Sequence, residues 1–380
     1  MTHSGPIAIR RRFPGVRRLL ALAALLGCGH TEPFSPPPFD RNQPFNSTPP
    51  VRLTLNRGAD RGAAWLADGS AILYSMQPFQ RTDNDVCLAL LPATGGSQRQ
   101  LTCNLAPTNA TRTDASESAA PASDGRLAYV AATSAINAVV PVDQGIVLAT
   151  VNDPLTRRVL QSMPYTIPGG RLHGGASQIR WLGPNQIVYL GQAVSVMTPC
   201  QFCEKDTLRS GLDVVLLSVV GTPPSPQAVP GTDFASGVSP GAGEDEIYYT
   251  LGGDTKVYRR ILSTGEVTVV HDFGTAGFVR DVHVQGNQMA VVVGGRVAFA
   301  VDSTFGPTQW DSGGVVHVLN LQDGTDMTID GPGLFRRPQL SPSGTALVAE
   351  VFPLNIVGFP DGTADTTVSR VGDVYSFGQP

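Results

Sequence analysis

The chain has 380 residues, of which 41% are apolar, and it contains 42 glycines and 31 prolines. This length and apolar share suffice for a large core, and glycines and prolines at turn-like intervals are typical of many short strands. A formal charge of −4, with only the two lysines Lys205 and Lys256, argues against a nucleic-acid-binding protein and against electrostatic docking to anionic lipid heads.

The first 27 residues are predicted to be a signal peptide. Five arginines precede the apolar stretch Leu19 to Leu26, which is too short to span a bilayer. Leu25-Leu26-Gly27-Cys28 then resembles the lipobox of bacterial lipoproteins. That resemblance implies cleavage before Cys28 and a lipid on its sulfur, and Gly29 favours an outer-membrane address facing the periplasm or the surface. An ordinary signal peptide with a chance cysteine is the alternative.

Residues 28–50 comprise the predicted lipidated cysteine and a segment with seven prolines. Because proline-rich chains are extended and stiff, we expect a tether that holds the rest of the protein away from the membrane. A proline-rich ligand for another domain is the alternative. Loss of residues 1–27 removes five arginines and no acid, so the formal charge changes from −4 to −9. The predicted membrane link is therefore the lipid itself.

A strand–turn–strand unit recurs throughout residues 51–380, which are predicted to form one domain. Its clearest copy is Leu334 to Phe352, in which Ser341-Pro342-Ser343-Gly344 supplies a tight turn between two extended runs. Comparable turns lie near Gly69, Gly125, Asn185, Gly243, Asn287 and Gly344. Repeats of this length with four strands each are typical of propeller blades. The sequence predicts an all-β propeller with six four-stranded blades, and leaves five or seven blades open.

The repeats resemble those of TolB-type WD40-like propellers, whose pattern is proline, any residue, an aromatic residue, Ser-Pro-Asp-Gly and an apolar strand. Two copies carry the resemblance, Ala64 to Tyr74 and Pro338 to Val348. In the second copy the matching residues are Pro338, Ser341, Pro342 and Gly344. Ser343 replaces the aspartate there, and Ala67 replaces the proline before Asp68-Gly69 in the first. The resemblance implies the fold and no particular activity, because such repeats serve scaffolds and enzyme accessory domains alike.

The last blade lacks a fourth strand, because the chain stops soon after the strand Asp373 to Phe377. Val51 to Leu55 alternates apolar and polar residues and precedes the first complete repeat, so it is a strand without a blade. We expect these two segments to pair, which would close the ring and remove two open sheet edges.

Four connections between the second and third strands of a blade are long: residues 132–144, 191–211, 294–314 and 353–372. The first-to-second and third-to-fourth connections are short, and in an antiparallel meander these lie at the opposite end. Long loops on one face of a rigid scaffold commonly carry function, so we predict a binding surface there. Its candidate anchors are Phe305, Trp310, Phe352, Ile356 and Phe359. Decorative loops, extra strands or a small core beneath the loops are the alternatives.

Four cysteines besides Cys28 form two candidate pairs. Cys87 and Cys103 lie at facing ends of two strands joined by a hairpin, which suits a disulfide. Cys200 and Cys203 lie in the second long connection, and an envelope address permits a structural disulfide there too. A redox pair or half of a zinc site are the alternatives for the second pair. A redox pair requires a helix N-terminus, and a zinc site requires further ligands.

Three patterns in the sequence involve residue types that could carry chemistry. Gly237-Val238-Ser239-Pro240-Gly241 matches a nucleophile elbow, but an elbow joins a strand to a helix, and Ser239 falls in a blade turn. Four residues near the connection of the fourth and fifth blades could bind a divalent metal, namely His271, Asp272, Asp281 and His283. We interpret them as strand-end histidines near solvated acids. Asp83 to Asp85 lacks the glycine and distal acid of a calcium loop. No catalytic residue, metal or cofactor is predicted.

The sequence therefore predicts a lipid-anchored envelope propeller that binds a protein, peptide or glycan partner. A propeller enzyme, such as a lyase or hydrolase that uses the central channel, is one alternative. A purely structural envelope scaffold is another. Acid–base residues that converge on the channel mouth would favour the enzyme, and exposed aromatic residues on the loop face would favour binding.

Overall fold

The structure is a computed structural model that describes residues 44–55, 58–77, 86–103, 112–135, 143–168, 171–197, 206–221, 225–294, 297–302, 306–311, 313–358, 364–368 and 371–378. The predicted signal peptide, Cys28 and most of the tether lie outside these ranges, so their assignment stays a prediction. No helix within the ranges is long and apolar enough to cross a membrane. Two short 3-10 helices occur, Pro44–Asn46 and Gly274–Ala276.

The described strands form six small antiparallel sheets in a ring, which is a six-bladed β-propeller. Strand β1, Val51–Arg52, comes first in the chain and belongs to the last blade. Blade 1 contains β2 Asp60–Trp65, β3 Ala71–Met76, β4 Cys87–Pro92 and β5 Arg99–Gln100. Blade 2 contains β6 Arg112–Pro121, β7 Arg126–Ala135, β8 Asp143–Thr150 and β9 Arg158–Met163. The predicted fold class and the predicted number of six blades are confirmed.

Blade 3 has five strands, one more than predicted. They are β10 Tyr165–Thr166, β11 Leu172–Trp181, β12 Gln186–Met197, β13 Asp206–Ser218 and β14 Gln227–Ala228. Blade 4 contains β15 Ala235–Pro240, β16 Glu246–Leu251, β17 Lys256–Ile261 and β18 Val267–Asp272.

Blade 5 begins with β19 Val279–Gln285 and β20 Gln288–Val293. The hairpin strands β21 Val297–Asp302 and β22 Gly306–Asp311 follow as a sheet of their own, and the blade then resumes with β23 Val315–Asn320 and β24 Asp326–Ile329. Blade 6 contains β25 Gly333–Leu340, β26 Ala346–Gly358, β27 Ala364–Val368 and β28 Asp373–Gly378, together with β1.

Strand β1 closes the ring, as the sequence predicts. Val51 pairs with Ser376 and Arg52 with Tyr375, so β1 is the outer strand of blade 6. The connection continues beyond the strand, since the Thr54 hydroxyl accepts from the Val374 N–H at 2.9 Å. The sheet edge that β28 would otherwise present is therefore covered.

Each blade packs face to face against its neighbours, so its second strand is buried on both sides. All six residues of β3 are buried, which explains why five of them are apolar. Trp65 and Trp181 lie between blades. The Trp65 indole donates to the Gln339 carbonyl at 3.2 Å, and the Trp181 indole donates to the Ala120 carbonyl at 2.8 Å.

The long connections are largely built as paired strands. In blade 2 the pairing of β7 and β8 reaches Thr133 and Asp143, and in blade 3 the pairing of β12 and β13 reaches Met197 and Asp206. In blade 5 the connection folds as the β21–β22 hairpin. In blade 6, β27 pairs with β26, and residues 354–367 belong to a compact unit separate from the one that holds residues 36–353. The described parts of these connections are therefore extra strands, which is one of the alternatives to functional loops.

A disulfide joins Cys87 and Cys103, with a Cα–Cα distance of 4.8 Å. It links the start of β4 to the segment after β5, within blade 1. Cys200 and Cys203 lie outside the described residues, so their pairing stays a prediction.

Candidate functional site

The first strands of the six blades surround the axis of the propeller. Each of β2, β6, β11, β15, β19 and β25 contacts the first strands of both neighbouring blades, and these contacts make a closed ring. Side chains of these strands are therefore the ones that can meet at the centre.

Every first strand is irregular in its pairing with the second strand. In five blades a residue near the irregularity has a positive φ, namely Gly62 at 59°, Ser118 at 53°, Gln178 at 50°, Asp281 at 52° and Arg337 at 48°. Four of these are not glycine, and side chains seldom adopt this conformation. Bulges of this kind change the direction of a side chain, and here they turn polar groups towards other blades.

A buried ion pair lies at the junction of blades 1 and 6. Glu350 is fully buried on β26, and Arg337 Nη1 donates to its Oε1 at 2.9 Å. The Gly62 N–H of blade 1 donates to the same oxygen at 2.6 Å. Burial alone would raise the pKa of Glu350, but the guanidiniums of Arg337 and Arg336 outweigh it and hold this pKa below its usual value. The carboxylate is ionised and joins two blades.

The polar contacts continue across blades 3 to 6. The Arg337 N–H donates to Asp281 Oδ2 at 3.2 Å, and Gln178 Nε2 donates to Asp281 Oδ1 at 2.7 Å. Gln178 Oε1 in turn accepts from the Val238 N–H at 3.3 Å. Each of these side chains satisfies a backbone or side-chain group of another blade, so the network holds the ring together.

A cavity of about 260 Å³ lies next to this network. Its walls are the last residues of all six first strands, together with Gly241. First strands end where they turn into second strands, so the cavity lies at the end opposite the long connections. The polar residues of the wall are Arg180, Ser239, His283, Gln285 and Gln339.

Ser239 lies within β15 and not in the predicted turn, and its contacts are structural. Its hydroxyl is buried, accepts from the Val284 N–H at 2.9 Å and donates to the Pro240 carbonyl at 3.1 Å. The segment after it is the strand β16, whereas an elbow requires a helix. His283 repeats the arrangement one blade later, where its Nδ1 accepts from the Leu340 N–H at 3.2 Å.

The four candidate metal ligands do not come together. His271 and Asp272 lie on β18, the outermost strand of blade 4, and Asp272 accepts from Thr255 and Gly274. Asp281 and His283 lie on β19, the innermost strand of blade 5. Across the described ranges, no group of three or more His, Cys, Asp and Glu side chains could hold a metal ion.

The predicted anchor residues of the long connections are only partly placed. Trp310 lies on β22 and Ile356 on β26, but their side chains are outside the description, as are Phe305 and Phe359 altogether. Phe352 is buried, with only 6% of the residue accessible, which agrees with the alternative of a small core and not with an exposed anchor at this position.

Sequence reasoning missed Arg180, Arg337 and Glu350. No local signal distinguishes Arg180, because the residue two positions beyond the positive-φ residue varies among the five blades that have one: it is Ala64, Ala120, Arg180, His283 and Gln339. No signal marks Glu350 either, which lies within an apolar strand.

His283 makes the stability of the folded protein depend on pH in the acidic range. Burial and the positive charge of Arg180 lower the pKa of His283 from about 6.5 to about 3. In the unfolded chain this histidine binds a proton below about pH 6.5, so its contribution to stability is complete above that pH and decreases towards pH 3. The slope is at most about 1.4 kcal/mol per pH unit. We expect His283→Asn to flatten the dependence of the urea midpoint on pH below 6.5, and an unchanged slope would contradict this.

The comparisons with known proteins identify the fold. No family model matches the chain, and no curated protein matches it. A gluconolactonase from Xanthomonas campestris is 14% identical with a TM-score of 0.53, covering 87% of this chain and 89% of that one. A luciferin-regenerating enzyme is 11% identical with a TM-score of 0.52, covering 87% and 95%.

TolB from Acinetobacter baumannii is also similar. It is 14% identical with a TM-score of 0.44, and the alignment covers 83% of this chain and 65% of that one, so this chain spans just under two thirds of TolB. The neighbours thus include TolB proteins and enzymes alike. At these identities they show that this chain shares the propeller fold, and they transfer neither a substrate nor a partner.

Proposed function

We propose that this protein is a lipid-anchored binding module of the bacterial cell envelope, whose partner is a protein, peptide or glycan. The observation that supports this most is the difference between the two ends of the blades. At one end three connections of the propeller body extend as paired strands, and at the other end the described strands are joined by connections of eight residues or fewer.

The extended end offers preformed surfaces. The ladder of β12 and β13 contains twelve residue pairs, from Gln186–Ser218 to Met197–Asp206, and β21 and β22 add six pairs of their own. Backbone pairing fixes such arms before a partner arrives, so less ordering is needed on binding. Strand edges also allow an extended peptide to add to the sheet.

At the opposite end of the blades, here called the trimmed end, the connections are short. The turn after β2 closes by a bond from the Gly69 N–H to the Leu66 carbonyl at 2.9 Å, and the turn after β25 by one from Gly344 to Ser341 at 2.9 Å. Random tolerance of insertions would lengthen both ends alike. The asymmetry therefore supports a selected function at the extended end.

The proposed location at the cell envelope depends on the amino-terminal sequence. Cys28 with its preceding basic and apolar segments supports lipid anchoring, and the proline-rich tether supports a body held away from the membrane. With a predicted mature charge of −9, attraction to anionic lipid heads would not supply the membrane link. Cys28→Ala should accordingly move the protein from the membrane fraction to the soluble fraction.

Deletion of the β21–β22 hairpin tests the binding surface. Among the described strands this hairpin pairs only with itself, and the blade ladder beside it begins with Val293 and Val315. Replacement of residues 296–312 by a short Gly-Ser segment should abolish capture of a partner from envelope extracts and leave the melting temperature within about 2 °C, because the sheets of the six blades remain intact.

The matched control changes a trimmed turn. Gly324 has a φ of 75° in the turn before β24, so Gly324→Val should lower stability while capture is retained. Capture that survives deletion of residues 296–312 and of the β12–β13 tip, or that maps to the trimmed turns, would refute the proposal.

A further inference from the structure

The cavity at the trimmed end has an unusual charge for this protein. Among the described residues that form its wall, Arg180 is the only one with a formal charge at neutral pH, and there is no aspartate or glutamate. The predicted mature chain carries −9 overall. A cationic cavity in an acidic protein is a local feature and does not follow from the composition.

The guanidinium of Arg180 lacks a carboxylate partner. Its Nη1 donates to the Ile179 carbonyl at 2.9 Å, and its Nε–H is buried without a hydrogen-bond partner in the described part of the chain. Asp281 lies near enough to favour the charge, but its oxygens accept from Gln178 and Arg337. Buried donors of native proteins usually have a partner, and a charged one is especially costly to leave without it.

Arg180 keeps its positive charge at neutral pH despite its burial. Burial and the neighbouring Arg337 lower the pKa of Arg180 to about 10, so the group stays protonated at neutral pH. His283 in the same wall is neutral there, since its pKa is lowered to about 3. Its Nδ1 accepts a hydrogen bond, which leaves Nε2 as the nitrogen that carries the proton. The wall thus combines one cation with one neutral donor.

Two indole rings supply apolar surface in the same wall. The N–H groups of Trp65 and Trp181 are both bonded to carbonyl groups of neighbouring blades, so the rings are fixed and offer a ligand only their carbon atoms. Pro121 and Pro240 add further apolar atoms. A fixed cation beside fixed aromatic rings suits an anion that also carries an apolar group.

We propose that this cavity is a binding site for a carboxylate, held by the guanidinium of Arg180, with the apolar part of the ligand against Trp65 and Trp181. A guanidinium donates two parallel hydrogen bonds to a carboxylate, which matches its planar shape. A volume of about 260 Å³ is below the range of about 300–1,000 Å³ that is usual for drug-sized ligands, so one carboxylate with a short body is accommodated. The source is a small carboxylic acid or the carboxyl end of a peptide.

Benzoate and benzamide test this site on the full-length protein, because they share a ring and differ in charge. We expect benzoate to quench tryptophan fluorescence saturably and to raise the melting temperature, and benzamide to do neither. Arg180→Gln should weaken benzoate binding by about tenfold to about a hundredfold, since a hydrogen bond to a charged group is lost. Arg99→Gln is the matched control, because Arg99 is exposed on β5 and its loss changes the net charge equally.

A second variant keeps the test decisive if Arg180→Gln does not fold. Gln339→Glu places a carboxylate in the same wall with almost no change of shape, so it should abolish benzoate binding. An N-acetylated dipeptide with a free carboxyl end and its amidated form distinguish the two sources. Tighter binding of the free acid than of benzoate assigns a peptide end, and the reverse assigns a small acid.

Three results would overturn the proposal. They are equal effects of benzoate and benzamide on the wild type, undiminished benzoate binding by Gln339→Glu, and undiminished binding by a folded Arg180→Gln. Deletion of residues 296–312 should leave benzoate binding unchanged, because the hairpin and the cavity lie at opposite ends of the blades. This site therefore stands or falls independently of the proposed partner surface.

Discussion

Glu350→Ala is expected to lower the free energy of unfolding by about 3–5 kcal/mol, which is the usual cost of removing one partner from a buried ion pair. The carboxylate is fully buried and accepts from Arg337 at 2.9 Å and from the Gly62 N–H at 2.6 Å. Without it, Arg337 keeps a buried positive charge and the Gly62 donor has no acceptor. The change is measured by urea unfolding of the wild type and the variant.

Two further variants show that the lost charge is responsible. Glu350→Gln keeps the shape and an acceptor for Gly62, so we expect a smaller loss of stability than with alanine. In Glu350→Ala combined with Arg337→Met, both charges of the pair are removed together, so the loss should be smaller than the sum of the two single losses. Strict additivity, or an alanine variant as stable as the wild type, would show that the ion pair of Glu350 and Arg337 does not stabilise the fold.

A chain that begins at residue 60 is expected to melt at a much lower temperature and to aggregate. It loses the pairing of Val51 and Arg52 with β28, and with it the ion pair of Arg52 and Asp373 at 2.9 Å. It also loses Phe45, which is 1% accessible and lies in the same core cluster as Phe335. Burial of such a side chain alone contributes about 1.5–3 kcal/mol. The exposed edge of β28 can then pair with other molecules.

A chain that begins at residue 44 is the control for this truncation. It lacks the predicted tether but keeps Phe45 and β1, so it should melt like the mature protein and should not aggregate. Asn46 lies in the retained segment, where it donates to the Thr328 carbonyl at 3.0 Å and accepts from the Asp330 N–H at 3.2 Å. Calorimetry and light scattering distinguish the two chains, and equal melting and solubility would exclude a role for β1 in closure.

The blade order was predictable because its signals are local. Turns at Gly69, Gly125 and Gly344 require a positive φ that glycine adopts without strain, and all three have one. Closure of the ring by Val51 was predictable because the segment Val51 to Leu55 is a strand that belongs to no complete repeat, and the last blade lacks its fourth strand. Both kinds of information lie in short stretches of sequence, so the fold could be assigned without knowledge of distant contacts.

The centre of the ring was not predictable in the same way. Glu350 lies between Ala349 and Val351 in a strand that reads as apolar, and its partner Gly62 is 288 positions away. The positive φ of Asp281 and Arg337 results from bulges that only the assembled ring imposes. Similarly, Gly191 and Gln192 interrupt the apolar run of β12, so the extended ladder there was interpreted as a loop.

The place where the chain enters the propeller determines where mechanical load would act. The tether leads through Phe45 into β1, which pairs with β28 over only two residues. If Cys28 carries a lipid, as proposed, and a partner pulls on the protein, the tension passes through this two-residue pairing before it reaches any other blade. The pairing of β1 with β28 is supported by the buried Phe45, by the hydrogen bonds of Asn46 and by the ion pair of Arg52 and Asp373. Blade 6 would therefore set the force at which the ring opens, and the five other blades would stay folded until it does.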